Sequence, residues 1–183
     1  MTPEEFQKRL TDKIAKLEVS ELVYPVATKV HADMVGRLFD DGKDGKNTDL
    51  GTYDTKPAYF SKDEFKRKGS FKARGKNSDK PFANGKQRSS MYFSDGYKGL
   101  KAAQGYESGF VNLQYSSDLR NDFASKLTAT EEGAEARVSR RINQQKVKWL
   151  TDKYGRNTFK LNEQERKFFQ QETTKRLLNY LNA

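Results

Sequence analysis

The sequence of 183 residues contains no cysteine, only one histidine and no long hydrophobic run. Without cysteine, the chain has no disulfide framework, iron–sulfur cluster, thiolate zinc site or cysteine nucleophile. A serine triad would have to use its single histidine, His31. No stretch of about 18 apolar residues occurs, so no membrane-spanning segment is predicted. The acidic first residues lack the apolar core of a secretory signal, so we expect none. We therefore expect the protein to be made in a cytoplasm.

Apolar residues are also scarce, because hydrophobic residues make up 34% of the chain and charged residues 33%. This apolar share is well below that of a compact domain. The 12% of aromatic residues nevertheless argues against wholesale disorder. The length suits a single domain, 1–183. We therefore expect a modest core together with exposed surfaces that partners complete.

The positive charge is concentrated in one segment. The chain has a net charge of +10, and residues 62–88 contain ten basic and three acidic residues, which places +7 there. A connector this long is uncommon, so we interpret residues 61–90 as a basic arm or loop. The candidate contacts to DNA or to a partner are Lys66, Arg67, Lys68, Lys72, Arg74, Lys76, Lys86 and Arg88.

Two interpretations of this arm stay open. Lysine and arginine gain affinity for phosphates by releasing counterions, and the interleaved Phe65, Phe71 and Phe82 can stack on bases. The alternative is a solvated loop, or one that docks on an acidic protein surface. The sequence does not contain a nucleic-acid-binding motif that would decide between them.

Two helices are predicted in the N-terminal part, 1–41. Thr2, Pro3 and Glu5 form a capping box at the start of the first. The second is predicted to begin near Pro25 after a break, and Gly42 ends it. Each helix carries an apolar face, formed by Phe6, Leu10, Ile14 and Leu17 in the first and by Val26, Val30, Met34 and Leu38 in the second.

Short elements and two further helices are predicted in residues 91–183. The first elements in chain order are a strand at 91–93, a short helix closed by Gly105 and an extended piece at 110–113. A short helix capped by Ser116 or Ser117 and a hairpin within 126–142 follow. The last elements are a helix ending at Tyr154 and Gly155 and a final helix capped by Asn162 with Glu165. Both hairpin strands are weakly apolar, so we expect the hairpin to pair with a further element.

Candidate chemistry is sparse. His31 lies on the second predicted helix without a nucleophile or metal-ligand pattern, so we interpret it as a surface or core-edge histidine. Residues 40–51 superficially resemble a calcium loop, but Gly42 and Gly51 occupy two ligand positions. No glycine-rich phosphate-binding motif is present. We therefore predict a protein that is not an enzyme and that uses no metal or cofactor.

Four short segments follow one another in an informative order. They are RLFDDG at 37–42, GTYDTKPAY at 51–59, GYK at 96–98 with VNLQYSSDLR at 111–120, and YGRNTFKLN at 154–162. Together they resemble the tail-completion, or head–tail joining, proteins of tailed bacteriophages, also called virion morphogenesis proteins. Their sequences are most similar to those of neck-ring proteins of crAss-like phages. Ser117 replaces the glycine usual in that family, and residues 61–90 lie outside the match.

The resemblance implies an α+β fold, a small antiparallel sheet with N-terminal and C-terminal helices packed beside it. It implies a structural virion protein, a ring subunit that joins the capsid portal to the tail as a dodecamer. The implied partners are identical subunits, the portal, adjacent neck or tail proteins and the DNA that passes through. The motif or interface positions are Tyr53, Pro57, Tyr59, Leu119, Gly155, Arg156, Phe159 and Leu161. The alternative is a non-enzymatic nucleic-acid-binding protein that uses residues 62–88.

Overall fold

A computed structural model of the chain describes residues 2–61, 65, 84–86, 90–114, 117–130 and 133–183. Within these residues the fold is α+β, as predicted, with six α-helices and two antiparallel strand pairs. The elements are α1 (Pro3–Ala15), α2 (Val19–Val35), β1 (Ala58–Ser61), β2 (Ser90–Phe93), α3 (Gly96–Ala103), α4 (Asp118–Ala124), β3 (Leu127–Thr130), β4 (Gly133–Ala136), α5 (Arg141–Tyr154) and α6 (Glu163–Asn182). A π-helical turn, Gly36–Asp40, continues α2.

Helix α1 begins with the predicted capping box. The Thr2 hydroxyl accepts from the Glu5 backbone N–H, and the Glu5 carboxylate accepts from the Thr2 N–H at 2.8 Å. The helix touches the end of α6, where the Tyr180 hydroxyl donates to the Lys13 carbonyl at 3.1 Å. No residue of α1 is buried, so its apolar stripe is not part of the core.

Helix α2 begins at Val19, and the prediction that it begins near Pro25 is wrong. Pro25 lies inside the helix, where it lacks a backbone donor. The N-terminal half of α2 packs against the β3–β4 pair, with the Tyr24 hydroxyl donating to the Leu127 carbonyl at 3.4 Å. We attribute the continuity of the helix to this packing, which offsets the cost of the proline.

The core consists of two small apolar clusters. The first joins the end of α2 and its π turn to α4, and its buried members are Met34, Val35, Leu38, Phe39, Leu119 and Phe123. The second lies between β2 and α3, and its buried members are Phe65, Met91, Phe93 and Leu100. Phe65 is therefore packed inside, 6.2 Å from the Phe93 ring, and is not available to stack on bases as the sequence suggested.

The strands form two separate pairs. Strand β1 pairs with β2, and β3 pairs with β4 as the predicted hairpin. In the described part of the chain no third strand joins the hairpin, which packs on α2 instead. The extended piece predicted at 110–113 is a loop, because Leu113 has a φ of 51° and cannot continue a strand.

The end of α5 and the beginning of α6 are as predicted. Gly155, with a φ of 100°, follows the last residue of α5, and Asn162 and Glu165 form the capping box of α6. However, α5 buries only Asn143 and α6 buries only Glu165. Over the described ranges, no helix is both long and apolar enough to cross a membrane.

Candidate functional site: a groove beside helix α5

A groove of about 770 Å³ lies beside α5. This volume falls within the range of about 300–1,000 Å³ typical of ligand pockets. Its walls come from the loop 52–54, from α3, from residues 111–114 and 117–119, and from α5. The lining residues are Thr52, Tyr53, Asp54, Tyr97, Val111, Leu113, Gln114, Ser117, Asp118, Leu119, Lys146, Trp149, Leu150, Lys153 and Tyr154. We call this surface the α5 groove.

The lining of the α5 groove is rich in aromatic and aliphatic side chains. Trp149, the only tryptophan of the chain, remains 56% exposed at the groove. Lys146 and Lys153 stand on the α5 side, while Asp54 and Asp118 lie on the opposite walls. An apolar floor with ammonium groups along one wall suits the binding of an apolar segment that carries acidic groups.

An unusual backbone conformation shapes the wall at α4. Ser117, the N-cap residue of α4, has a φ of 60°, in the left-handed region that favours glycine. This is the position where the resembling family usually has glycine. The serine side chain makes no capping hydrogen bond there. The turn is therefore maintained by the packing around it, with Leu119 buried two residues later.

A buried lysine supports the groove wall from behind. The Lys101 ammonium donates to the Tyr53 hydroxyl at 2.6 Å, to the Asn112 side-chain oxygen at 3.0 Å and to the Gln114 carbonyl. The Tyr53 hydroxyl donates to the same Asn112 oxygen at 3.0 Å. This cluster links α3 to the two loops that contain Tyr53 and Gln114. Both of these residues line the groove.

Burial shifts the titration of both groups in this cluster. Desolvation lowers the pKa of Lys101 from 10.5 to about 8, although the charge of Glu107 acts in the opposite direction. Desolvation raises the pKa of Tyr53 to about 12, and a hydrogen bond with the Asn112 backbone offsets part of this rise. Burial therefore favours the uncharged form of each group, the neutral amine of Lys101 and the protonated hydroxyl of Tyr53.

Raising the pH from 8 to 9 is expected to increase the free energy of unfolding because the folded chain releases the Lys101 proton before the unfolded chain does. Its folded pKa lies below its unfolded value, so the unfolded chain holds the proton more tightly and loses that advantage as pH rises. In Lys101→Met this rise disappears, whereas Lys98→Met, on the exposed side of α3, retains it. Urea unfolding across this interval, below the pH at which Tyr53 opposes the effect, measures both. Parallel pH profiles for the wild type and Lys101→Met would contradict this prediction.

Arg37, in the first of the four segments, forms a buried ion pair with Glu165 of α6 and is hydrogen-bonded to Lys160 in the last segment. The Arg37 Nε donates to the Glu165 carboxylate at 2.8 Å, and its other nitrogens donate to the Lys43 and Lys160 carbonyls at 3.0 and 2.8 Å. Gly45 allows the two loops to approach closely, since a Cβ there would lie 2.6 Å from the Asn157 and Lys160 carbonyl oxygens.

A second buried carboxylate fixes α4 against the start of α5. Asp122 accepts from the Ser139 N–H and hydroxyl, from the Arg140 N–H and from the Asn143 amide, at 2.6–3.2 Å. Burial alone would raise the pKa of Asp122, but these hydrogen bonds outweigh it and hold the pKa well below its usual range. The geometry sets where α5 leaves the hairpin, and so positions Trp149.

The predicted positions do not gather at one place. Tyr53 and Leu119 line the α5 groove. Phe159 and Leu161 pack on the first core cluster, and Gly155 ends α5. Outside the groove, Pro57, Tyr59 and Arg156 are exposed. Of the predicted basic contacts, Lys86 is exposed, and Lys66, Arg67, Lys68, Lys72, Arg74, Lys76 and Arg88 lie outside the described residues, as do Phe71 and Phe82.

The other candidate chemistry of the sequence has a structural explanation. His31 is buried on α2 with its ring 5.0 Å from that of Phe123, and burial lowers its pKa. In the loop that superficially resembles a calcium site, Asp44 accepts from the backbone N–H groups of Lys46 and Thr48. The described part of the chain contains no group of three or more histidine, aspartate or glutamate side chains placed to bind a metal.

Sequence reasoning missed Lys101 and Asp122, and it named Trp149 only as a helix residue. Lys101 is one of 35 basic residues and has no distinguishing neighbour in the sequence. Comparison with known proteins adds no information here: no family model, curated protein or solved structure matches the chain.

Proposed function

We propose that this chain is a structural subunit of a phage neck, a ring protein that joins the capsid portal to the tail. The observation that carries the proposal is the exposure of its helices. Helices α1, α5 and α6 have 13, 14 and 20 residues, yet their only buried side chains are the polar Asn143 and Glu165. Val147 and Leu150 of α5 pack partly against the first core cluster, but other apolar residues of these helices remain available for contacts with other chains.

Several of these exposed residues are large. Phe6 and Ile14 on α1, Ile142 and Trp149 on α5, and Leu178 on α6 are each more than half exposed. Single exposed apolar side chains are ordinary, but three helices without an apolar buried face are not. A subunit that gains its burial from identical neighbours accounts for this arrangement. In a closed ring each subunit presents two different complementary faces.

The position of the resembling segments also supports the proposal. Parts of 51–59, 96–98, 111–120 and 154–162 line the same α5 groove. The remaining segment, 37–42, contributes Arg37, which is hydrogen-bonded to Lys160 and Glu165. Segments far apart in the chain thus form one structural unit, as expected if they share a common role in a family fold.

The basic segment accounts for the DNA-facing part of the proposal. Residues 62–88 carry +7 of the net charge of +10. In a ring these charges would repeat once per subunit around a DNA conduit or against acidic neighbours. The same charge also supports the alternative, a free nucleic-acid-binding protein.

Light scattering on the purified full-length chain tests this proposal. We expect the molar mass to increase with concentration towards twelve times 21.0 kDa. The reason is that association covers the apolar residues of α1, α5 and α6. A chain that stays at 21.0 kDa at every concentration contradicts the ring proposal. Such a monomer, binding duplex DNA with an affinity that falls steeply with salt, would support the alternative.

A further inference from the structure

The α5 groove and helix α1 are two surfaces that the described residues leave largely uncovered. The groove has an apolar floor around Trp149 and Leu150, both on α5. Helix α1 has an apolar stripe of Phe6, Leu10 and Ile14, with Phe6 57% and Ile14 55% exposed. The two surfaces belong to different elements, and no contact between them is among the principal packing contacts of the described fold.

Both surfaces carry charges of both signs, so oppositely charged pairs can form between them. The groove has Lys146, Lys153, Asp54 and Asp118, and α1 has Glu4, Glu5 and Asp12 together with Lys8, Arg9 and Lys13. Helix α5 carries four basic residues and one acidic residue, and two of its lysines, Lys146 and Lys153, line the groove. The first turn of α1 is acidic, with Glu4 and Glu5 directly before Phe6. In a chain of net charge +10, contact between two copies needs such a local pairing to overcome repulsion.

We infer that helix α1 of one copy docks into the α5 groove of the next copy. Phe6 and Leu10 lie over Trp149, and Glu4 lies beside Lys146 and Lys153. Because a groove on one copy receives a helix from another, the contact is head-to-tail, the type that closes into a ring or extends as a filament. This inference rests on the proposed ring and specifies its subunit interface.

Trp149 reports directly on this contact. As the only tryptophan, it supplies the whole tryptophan emission of the protein. Docking of an apolar helix over its exposed ring removes water, so the emission of the full-length chain shifts to shorter wavelength as the chain associates. In Phe6→Ser/Ile14→Ser we expect no shift and an apparent association constant at least tenfold weaker.

Two variants, each lacking one of the two contact surfaces, provide a sharper test. Phe6→Ser/Ile14→Ser keeps the groove and loses the helix surface, whereas Lys146→Glu/Lys153→Glu keeps the helix surface and loses the groove. Each is expected to remain monomeric alone. A mixture forms a dimer that cannot grow, with a blue shift of Trp149 in the chain whose groove is intact. Light scattering gives the mass, and fluorescence gives the environment of Trp149.

Matched controls separate a specific contact from a general loss of apolar or basic character. Leu178→Ser removes an equally exposed apolar residue from α6, and Lys148→Glu/Lys175→Glu makes the same charge change away from the groove. Both controls are expected to retain the blue shift of Trp149, because neither changes this contact, even where Leu178 contributes to another contact of the ring.

The outcomes distinguish this contact from the ring itself. Rings that form with Trp149 still exposed, or that form equally well from Phe6→Ser/Ile14→Ser, overturn the contact and leave the ring proposal standing. A blue shift with assembly that stops at a dimer of the wild type keeps the contact and contradicts the ring. A monomeric wild type with unchanged emission overturns both.

Discussion

Replacing Arg37 by Met is expected to lower the free energy of unfolding by about 3–5 kcal/mol, the usual cost of leaving one charge of a buried pair alone. The Glu165 carboxylate would stay buried with its main charged partner removed, and the Lys43 and Lys160 carbonyls would lose a donor. Most domains have only about 5–15 kcal/mol of stability in total. Urea unfolding followed by far-UV circular dichroism measures the loss.

Helix α6, which carries Glu165, provides a matched control for this prediction. Glu163 and Lys167 form an ion pair of the same length, 2.8 Å, but their side chains are 80% and 65% exposed, against 6% and 5% for Glu165 and Arg37. Glu163→Gln is therefore expected to change the stability little. The double variant Arg37→Met/Glu165→Gln is expected to be more stable than the sum of its single variants predicts. Equal effects of the buried and exposed substitutions would show that the Arg37 pair does not join the π-helical turn to α6.

Asp122→Asn is expected to cost about 3 kcal/mol at neutral pH, because hydrogen bonds to a charged acceptor contribute about 1.5–3 kcal/mol each. An amide provides only one acceptor oxygen, and its NH₂ group would face donors from Ser139, Arg140 or Asn143. Chemical denaturation at pH 7 measures this cost. Asp33→Asn, which changes an exposed carboxylate of α2, serves as the control.

The pH dependence gives a second readout for Asp122. Its folded pKa lies below the unfolded value, so its contribution is complete above about pH 4 and is lost as the pH falls further. Wild type and Asp122→Asn are therefore expected to converge in stability as the pH drops below about 4. A gap of constant size down to acidic pH would contradict the role given to this carboxylate.

Local signals in the sequence were sufficient where the structure depends on neighbouring residues. The capping boxes at Thr2 with Glu5 and at Asn162 with Glu165 are both present, and Gly155 ends α5. In each case the partner groups lie within three residues, so chemistry and spacing can be read together. The α+β class was implied by the family resemblance, and the structure confirms it.

Features that depend on distant residues could not be predicted in this way. The start of α2 was misplaced because the cost of Pro25 is offset by packing on a hairpin about 100 residues later in the chain. The loop at Leu113 is not a strand, since its backbone enters the left-handed region. Neither feature has a local sequence signature.

The candidate site was predicted only in part. Tyr53 and Leu119 line the groove, and both came from the family resemblance. Lys101 and Asp122 were missed, because a lysine or aspartate becomes exceptional only when folding buries it among particular partners. Those partners come from elements that are separate in the sequence, such as Tyr53 and Asn112 around Lys101.

The central claim, that the chain gains its stability and function from identical neighbours in a ring, is tested most directly by imaging. Electron microscopy of the purified full-length assemblies gives their rotational symmetry without any assumption about the interface. The account predicts closed rings with a central opening and twelve identical subunits. Well-ordered monomers, or dimers related by a single twofold axis, would contradict it.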